Sequence, residues 1–371
     1  MMSQSGFRTR TPKKQNRLIS LLRERILSGA WPAGKQLPIR TELEREFNIS
    51  SATLQRALDQ LRREGFIFAR GSSGTFVSPH PPNTSHYGLI LPLARYPVND
   101  HFWPSLEAAA AAIEQKRPDL KIPVFTNGVD FSSNPETARL LKTVEEGRLA
   151  ALIFGSSYPA YQRNRVLMET PLPKVCICSG RHAVPSVTFD YEQWLIRALD
   201  LLIAKGRRRI AVLIYSDLAV TSGFLPFWLD LLKKRNAVGG EHWWIGLHLN
   251  RPLLTQCMMK LLMRGPVKDR PDGLIVLNEN FTDAALGALM QCGITIPNDV
   301  DIVSHCNFPA REPGGIPIER LGFTIPGLLE TCIDLVEAQM KGKTPPMRTS
   351  VKPVTEAEYL ARAEREDPSF P

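Results

Sequence analysis

The sequence has no apolar run that approaches the length of about 18 residues that a helix needs to cross a bilayer. Its first residues are polar and basic, and they lack the apolar core of about 7–15 residues that marks a secretory signal peptide. These two absences predict a cytoplasmic protein that has no membrane partner.

Metal-binding and disulfide patterns are also absent. The six cysteines form no C-x-x-C pair and have no histidines at zinc-binding spacing. They are Cys176, Cys178, Cys257, Cys292, Cys306 and Cys332. Most lie in apolar segments, which predicts buried, reduced thiols. We therefore expect no bound metal and no cofactor.

Catalytic motifs are missing as well. The sequence contains no G-x-S-x-G elbow, no G-x-x-x-x-G-K-[ST] phosphate loop, no G-x-G-x-x-G after a strand and no H-E-x-x-H. The seven histidines are scattered along the chain, so each is expected to be a surface or packed residue rather than a base. We expect a protein that is not an enzyme.

The most informative segment that is present, residues 37–77, predicts a short helix, a tight turn, a second helix and a β-hairpin. The second helix is expected from Ser50, which can cap it, to Glu64, and Gly65 suits the left-handed residue that ends a helix. Asn48 suits the turn before it, because asparagine tolerates positive φ. This order of elements is that of a winged helix-turn-helix.

Side chains away from the buried face of the second helix are suited to reading DNA. Arginine pairs with guanine and glutamine with adenine, and the N-terminal end of a recognition helix meets the base edges. The hairpin can lay a basic side chain and backbone N–H groups against phosphates. The predicted DNA-binding residues are Arg40, Thr41, Ser50, Ser51, Thr53, Gln55, Arg56, Arg70, Ser72, Gly74 and Thr75.

The charge distribution distinguishes a DNA reader from a small helical core with merely solvated charges. The first 80 residues hold 14 Lys and Arg against 6 Asp and Glu, a net charge of +8, whereas the whole chain carries +9. Nearly all of the excess positive charge therefore lies on the first fifth of the chain. A phosphate-binding module attached to a neutral domain has this asymmetry.

Residues 15–78 resemble the DNA-binding domain of GntR-family bacterial repressors. The shared motif residues are Ile26, Gly29, Gly34, Leu37, Pro38, Leu43, Phe47, Ser50, Thr53, Ala57, Leu58, Leu61, Glu64, Gly65, Gly74, Thr75, Phe76 and Val77. The departures fall at contact positions of the family: Ile39-Arg40-Thr41, Ser50-Ser51 and Thr53-Leu54-Gln55. The resemblance implies a kept scaffold and a DNA target unlike the family's usual operators.

The rest of the chain alternates strands and helices, which predicts parallel sheets with helices on both faces, and its length predicts two lobes. We expect a two-domain protein: a winged helix-turn-helix, mainly α, followed by a two-lobed α/β domain. The predicted divisions are a disordered basic arm at 1–14, the reader at 15–78, a linker at 79–85, the α/β domain at 86–355 and a C-terminal tail at 356–371.

The second domain resembles the effector domain of LacI/GalR-type repressors, which has a periplasmic-binding-protein-like fold. The matching runs are Asn99-Asp100-His101-Phe102, residues 205–210, Asn278-Glu279 and residues 293–300. The predicted effector-binding residues are His101, Phe102, Ser156, Asp190, Asn278 and Glu279. A GntR-type reader joined to such a domain is similar to the arabinose repressors of Gram-positive bacteria.

Two departures from that second family bear on the ligand. Val220 stands where the family commonly has an arginine that grips sugar hydroxyls, and Cys306 stands where it has an aspartate. The loss of both polar partners predicts an effector that is less polar than a sugar, or that binds weakly or is absent.

Together these features predict a homodimeric repressor that reads a pseudo-palindromic double-stranded DNA operator. A small-molecule effector, sugar-like or less polar, would bind in the cleft of the α/β domain and modulate the repressor. The alternative is a constitutive DNA-binding regulator whose α/β domain only dimerises and binds no effector. An enzyme with a DNA-targeting arm is a third possibility, for which the sequence offers no active-site residues.

Overall fold

The structure is a computed structural model, and it describes residues 13–92, 101–126, 135–156, 164–178, 183–216, 219, 223–249, 251–309 and 315–366. The chain divides into two compact units, Met1–Pro92 with Glu114–Lys174 and Leu93–Ile113 with Val175–Pro371. Of the predicted basic arm at 1–14, residues 1–12 lie outside the described residues.

None of the helices in the described parts of the chain is long and apolar enough to cross a membrane.

The first unit begins with three helices and a hairpin. They are α1 (Lys13–Leu27), α2 (Arg40–Phe47), α3 (Ser51–Arg63), β1 (Ile67–Ala69) and β2 (Thr75–Val77). Strands β1 and β2 pair antiparallel, and Gln36 forms a further antiparallel bridge to Phe76. Apolar side chains of all three helices pack into one core with Phe66 and Val77. This is the predicted winged helix-turn-helix.

Local sequence signals explain where the recognition helix α3 begins and ends. Ser50 Oγ accepts a hydrogen bond from the Thr53 N–H at 3.4 Å, as expected of an N-cap. Asn48 has the left-handed φ of 48° in the turn between α2 and α3. Gly65 has a φ of +82° directly after the helix, a conformation that glycine adopts without strain. These three predictions are confirmed.

A buried ion pair joins α1 to the C-terminal end of α3. Arg23 Nη2 donates to Glu64 Oε2 at 2.7 Å, and the two side chains are only 7% and 5% exposed. Gln60 Nε2 donates to the other carboxylate oxygen of Glu64 at 2.6 Å, and the Arg23 guanidinium lies 5.6 Å from the centroid of the Phe66 ring. Both carboxylate oxygens are therefore paired, which makes this buried charge tolerable.

The segment 79–85, predicted only as a linker, is packed and contributes buried side chains. It contains the short helix α4 (Pro82–Ser85), and Pro81, Pro82 and Ser85 are buried. Ser85 Oγ donates to the carbonyls of His80 and Pro81, each at 3.0 Å. Proline suits the first turn of a helix, and the proline rings also add apolar surface that finds partners.

The first unit continues with parallel strands. In chain order the next elements are β3 (Tyr87–Leu91), α5 (Phe102–Lys116), β4 (Val124–Thr126), α6 (Pro135–Glu145), β5 (Ala151–Phe154) and α7 (Arg165–Glu169). Of α5, only the last turn from Glu114 belongs to this unit, and the helix up to Ile113 belongs to the second unit. The strands lie in the order β4-β3-β5, and both pairings are parallel. All five residues of β3 are buried, as expected for a strand covered on both faces.

The second unit holds the remaining elements. Its strands are β6 (Lys174–Ile177), β7 (Ser186–Phe189), β8 (Ile210–Tyr215), β9 (Trp244–Leu247), β10 (Gly273–Val276), β11 (Asp301–Phe308), β12 (Glu319–Thr324), β13 (Arg348–Val351) and β14 (Val354–Thr355). Its helices are α8 (Tyr191–Ala204), α9 (Phe224–Lys234), α10 (Pro252–Leu262), α11 (Thr282–Gln291), α12 (Ile325–Met340) and α13 (Glu356–Glu366).

The strands of the second unit form two sets. One has the order β13-β7-β6, and the other has the order β14-β12-β11-β10-β8-β9. The pairings within both sets are parallel, except that β14 runs antiparallel to β12. Two apolar cores cover the larger set, one containing Trp194 and Trp228 and the other Phe281 and Met259. The predicted α/β class with parallel sheets is confirmed.

The end of the chain differs from the expectation of a tail at 356–371, because residues 356–366 form helix α13. The Arg197 guanidinium donates to both carboxylate oxygens of Glu358, at 2.9 and 2.8 Å. The Tyr359 ring stacks on that of Phe308 with centroids 4.8 Å apart. The sequence of α13 is mostly charged, like that of a solvent-exposed segment. Only these contacts with residues far away in the sequence show that the helix is packed.

The cysteines follow the sequence prediction in part. Cys176, Cys306 and Cys332 are buried and Cys178 is half-buried, whereas Cys257 and Cys292 are exposed. Cys257 lies on the outward face of α10, and Cys292 directly follows α11. The sequence pattern did not distinguish these exposed positions from buried ones.

Candidate nucleic-acid interface and ligand pocket

The N-terminal half of α3 presents several polar side chains. Ser51 and Arg56 are exposed, and Thr53 and Gln55 are half-buried. Gln55 Nε2 donates to Asp59 Oδ1 at 2.8 Å, which orients the amide and leaves its oxygen available. The hydroxyls of Ser50 and Thr53 lie 2.9 Å apart, so these two residues also serve the helix cap.

The arginines of the reader separate into two groups. Four are held by partners: Arg23 by Glu64, Arg25 by Glu46, Arg62 by Asp59 at 3.6 Å and Arg63 by Gln60 at 2.6 Å. The others are exposed and have no side-chain hydrogen bond or ion pair within the described part of the chain: Arg17, Arg40, Arg45, Arg56 and Arg70. Three of these, Arg40, Arg56 and Arg70, are predicted DNA contacts.

The hairpin tip has a fixed backbone. The Arg70 N–H donates to the Gly74 carbonyl at 2.9 Å, and Gln36 Nε2 donates to the Ser73 carbonyl at 2.8 Å. Gly74 has φ 106° and ψ −160°, a conformation open to glycine but strained for other residues. The exposed side chains of Arg70 and Ser72 are therefore carried on a rigid tip, and Thr75 lies half-buried at the start of β2.

Arg40 and Thr41 occupy the first turn of α2, and both are exposed. Glu42 Oε2 accepts a hydrogen bond from the Ile39 N–H at 3.2 Å and so helps to cap this helix. The predicted contact residues thus lie in three places: the start of α2, the N-terminal half of α3 and the hairpin. These are segments that a winged helix-turn-helix brings to DNA.

A cavity of about 820 Å³ lies in the second unit, lined by parts of α5, α11 and β11. Of the predicted effector-binding residues, His101 and Glu279 line it. Lining residues that were not predicted as effector contacts include Ser304, His305, Asn307 and Arg320. The signal for Asn307 was present in the sequence, since it lies near the carboxyl end of the parallel strand β11, where ligands bind in open α/β sheets.

The other predicted effector residues lie elsewhere. Phe102 contacts the rings of Trp103 and Phe189, with centroids 4.8 and 5.9 Å away. Asn278 Oδ1 caps a short helical turn by accepting from the Asn280 N–H at 3.0 Å. Ser156 lies in the first unit, and its buried hydroxyl has no hydrogen-bond partner among the described residues.

Asp190 is occupied by internal contacts. Its carboxylate accepts from the Gln193 N–H at 3.0 Å, which caps α8, and from Lys352 Nζ at 2.6 Å. Partial burial favours the neutral acid, but the hydrogen bonds from Lys352 and Gln193 outweigh it and lower the pKa of Asp190. This residue acts as a cap and an ion-pair partner and does not line the cavity.

The polar wall of the cavity centres on Glu279 and Asn307. The Asn307 N–H donates to Glu279 Oε2 at 2.9 Å, and Asn307 Nδ2 donates to Glu279 Oε1 at 2.6 Å. Asn307 Oδ1 is buried and has no hydrogen-bond partner in the described part of the chain. A buried acceptor without a partner is costly, so this oxygen is suited to receive a hydrogen bond from a ligand.

His305 is the second buried polar residue of this wall. Its ring lies between about 5.7 and 6.4 Å from four aromatic rings, those of Phe189, Tyr191, Trp194 and Phe323. Neither ring nitrogen has a hydrogen-bond partner within the described residues. Burial lowers the pKa of His305 to about 4, so the imidazole is neutral near pH 7.

The two positions that depart from the LacI-type pattern have different outcomes. Cys306 is buried beside the cavity, and burial raises the pKa of its thiol, so it is a neutral group where that family has a carboxylate. Val220 lies outside the described residues. Arg320 lines the cavity, but its guanidinium is held by both carboxylate oxygens of Glu356 at 3.2 Å.

Among the residues that the structure describes, no group of three or more His, Cys, Asp and Glu side chains is placed to hold a metal ion.

Comparison with known proteins connects both regions to transcriptional regulators. Residues 14–77 match the family model for bacterial regulatory proteins of the gntR family. The chain is 24% identical to the arabinose metabolism transcriptional repressor of Geobacillus stearothermophilus over 303 residues, which cover 76% of this chain and 79% of the repressor.

Two solved structures share the α/β fold. A regulatory protein of the LacI family from Chloroflexus aggregans has a TM-score of 0.58 and 18% identity, covering 73% of this chain and 96% of its own. A LacI-family regulator from Arthrobacter sp. FB24, solved in complex with lactose, has a TM-score of 0.53 and 17% identity, covering 73% and 97%.

The protein therefore carries a GntR-type helix-turn-helix domain at its N-terminus, followed by an α/β domain with the fold of LacI-family regulators. It is a transcriptional regulator with a GntR-type reader, and the relatives named above are regulators rather than enzymes.

Proposed function

We propose that the protein represses transcription by binding a pseudo-palindromic DNA operator as a homodimer, and that a small molecule in the 820 Å³ cavity modulates this binding. The observation that carries the DNA part is the set of exposed arginines without partners at the start of α2, on α3 and in the hairpin. Such cations are available to phosphates and bases, whereas the other four arginines already have partners within the reader.

Sequence reading is assigned to Gln55 and Arg56. A well-placed bidentate contact of this kind discriminates against the wrong base by about 1–3 kcal/mol. Arg40 and Arg70 are assigned to phosphates, where they set affinity and register rather than sequence preference. A net charge of +8 on the first 80 residues supports this division.

The homodimer follows from the way helix-turn-helix proteins read DNA. Two recognition helices separated by about 34 Å, one turn of DNA, contact two half-sites of a palindrome. The α/β domain would provide the dimer contact, and a ligand that binds one dimer geometry more tightly would shift the affinity for DNA.

The chemistry of the cavity supports a small neutral ligand that donates hydrogen bonds and has an apolar part. Glu279 and the Asn307 oxygen are acceptors, His305 is neutral and Cys306 is an uncharged thiol. Ala108, Ala112 and Leu286 line the cavity with apolar surface. The volume of about 820 Å³ lies within the range of about 300–1,000 Å³ usual for ligand sites. A sugar or a less polar molecule fits this description.

The second candidate is a constitutive regulator whose α/β domain only dimerises. Two observations favour it. The side chains of Asp190 and Asn278 already accept hydrogen bonds from the protein backbone. Cys306 also places a thiol where LacI-type regulators commonly have a carboxylate. The two candidates differ in whether any small molecule binds the native protein.

A thermal-shift screen of the full chain with sugars, sugar acids and nucleosides distinguishes them. At a concentration one hundred times its Kd, an effector should stabilise the protein by about 2.7 kcal/mol. Ala108→Trp should abolish this shift by filling the cavity. Ala111→Trp, an exposed position on the same helix that does not line the cavity, should keep it. If no compound shifts the wild-type melting temperature, the constitutive candidate is favoured.

Selection of DNA from a random library tests the remainder of the proposal. We expect the full chain to recover a motif of two inverted half-sites and to bind it with two protein chains per duplex. Recovery of a single, non-repeated site bound by one chain would refute the homodimer. Failure to enrich any motif would refute sequence-specific binding.

A further inference from the structure

We propose that five residues form a rigid coupler that fixes the recognition helix α3 to the parallel strands of the first unit. The coupler residues are Leu27, Gly65, Pro82, His86 and Gly147. The connection is then rigid rather than a flexible linker, and the reader moves together with strands β3 and β5 as one body. Its functional consequence rests on the proposed DNA binding, whereas its mechanical part does not.

The first contact joins the end of α1 to the turn between α6 and β5. A Cβ atom on Gly147 would lie 2.7 Å from Leu27 Cδ1 and 3.1 Å from Leu27 Cδ2. The Leu27 side chain therefore packs directly on the backbone of this turn. A larger residue at position 147 would displace the Leu27 side chain from its place on this turn.

The second contact joins the end of the recognition helix to the segment that leads into β3. A Cβ atom on Gly65 would lie 3.7 Å from Pro82 Cγ and 4.0 Å from His86 Cε1. These are ordinary van der Waals separations. Gly65, directly after α3, therefore lies beside α4 and beside the residue that precedes β3, with room for no more than a methyl group between them.

Backbone hydrogen bonds hold both ends of the connecting segment. The Ser78 N–H donates to the Phe66 carbonyl at 2.8 Å within the reader. At the other end, the Lys121 N–H donates to the Ser85 carbonyl at 2.9 Å and the Ala150 N–H donates to the His86 carbonyl at 2.7 Å. Only six residues separate these anchors, and three of them are prolines. Prolines stiffen a connection, so little slack remains.

Helix α1 carries the first contact to the recognition helix. The buried ion pair between Arg23 and Glu64, at 2.7 Å, ties α1 to the C-terminal end of α3. A shift of the turn at Gly147 is therefore transmitted through Leu27, α1 and this ion pair to α3. The contact at Gly65 acts on the same end of α3, so the two contacts restrain its direction together.

Hydrogen–deuterium exchange on the full chain tests the mechanical claim. Leu27→Ala should raise the exchange rate of amides in residues 78–87 and 147–151 by about fivefold or more, because local opening there becomes easier. Gly147→Ala, which disturbs the same contact from the other side, should give the same increase in residues 78–87. In this variant the exchange of residues 147–151 does not test the contact, because the φ of +63° at Gly147 strains an alanine there by itself. Peptides from the centre of α3 should be unchanged in both variants.

Leu21→Ala provides a matched control, since Leu21 and Leu27 lie on the same helix and are 39% and 40% exposed. This control should leave the exchange of residues 78–87 and 147–151 at the wild-type rate. If Leu27→Ala and Gly147→Ala leave the exchange rate of residues 78–87 at the wild-type value, as Leu21→Ala should, the coupler does not exist.

The functional consequence is measured with selected DNA. The wild type should accept one spacing between half-sites, whereas Leu27→Ala should keep the half-site sequence and tolerate several spacings. An unchanged spacing preference in this variant would overturn the functional role of the coupler. If the wild type selects a single unpaired site, the homodimer is wrong, and the exchange measurement alone decides whether the coupler exists.

Discussion

The reader and the ligand cavity differ in where most of their polar groups without hydrogen-bond partners lie, at the surface or buried. In the reader, the buried guanidinium of Arg23 donates through Nη2 to Glu64, and only its Nε is buried without a hydrogen-bond partner among the described residues. The arginines without partners are exposed. Around the cavity, polar atoms without partners are buried, on His305 and Asn307. A surface with unpaired exposed charge suits a polyanion that approaches from solvent. A wall with unpaired buried groups suits a small molecule that is enclosed.

The largest expected effect concerns the difference between a buried and an exposed ion pair of the reader. Arg23→Met should lower the free energy of unfolding of the reader by about 3–5 kcal/mol, because it leaves the Glu64 carboxylate buried without its partner. Arg62→Met removes a half-exposed pair with Asp59 and should cost less than about 0.5 kcal/mol. Urea unfolding of the two variants measures both losses of unfolding free energy. Equal small losses would show that the ion pair between Arg23 and Glu64 does not stabilise the reader.

The next effect concerns the buried imidazole at the cavity. The unfolded chain protonates His305 as the pH falls through about 6.5, whereas the native residue stays neutral down to its lowered pKa of about 4. Stability is thus retained above pH 6.5 and lost progressively between pH 6.5 and 4, by about 2 kcal/mol at pH 5. Urea unfolding at pH 7.5 and 5.0 measures this loss.

Two variants separate His305 from other titrating groups. His305→Phe should remove the part of the pH dependence of the unfolding free energy that His305 causes. His242→Phe, at an exposed position, should keep the wild-type pH dependence. If both variants keep the full dependence, His305 is not the group that sets it.

The smallest effect concerns the hairpin. Arg70→Ala removes one phosphate contact, so it should weaken binding to all sequences by a similar factor and reduce the salt dependence of the logarithm of affinity by about 1. Titrations of selected and scrambled duplexes at several salt concentrations measure this. A loss confined to the selected duplex would instead show that Arg70 reads a base.

The reader was predictable because its signals are local. Ser50, Asn48 and Gly65 each act within a few residues of the boundary that they define, and the leucines of α3 report its buried face directly. The packing of 79–85 was not predicted because residues that lie near Pro82 in space, such as Gly65, are outside the segment.

The cavity was only partly predictable because distant residues assemble it. Glu279 and Asn307 are 28 positions apart, and Arg320 is held by Glu356, 36 positions further along the chain. The resemblance to LacI/GalR-type effector domains predicted His101 and Glu279 as effector contacts, and both line the cavity. Nothing local marked Asp190 as an ion-pair partner of Lys352, because that contact spans 162 positions.

The most direct test of the central claim is DNA selection repeated with variants of α3 in the full chain. Gln55→Ala and Arg56→Ala should change the recovered motif at one or two base pairs in each half-site. Arg62→Ala, whose arginine is paired with Asp59 on the same helix, should recover the wild-type motif. A motif that is the same for the wild type, Gln55→Ala and Arg56→Ala would contradict the assignment of α3 as the element that reads DNA.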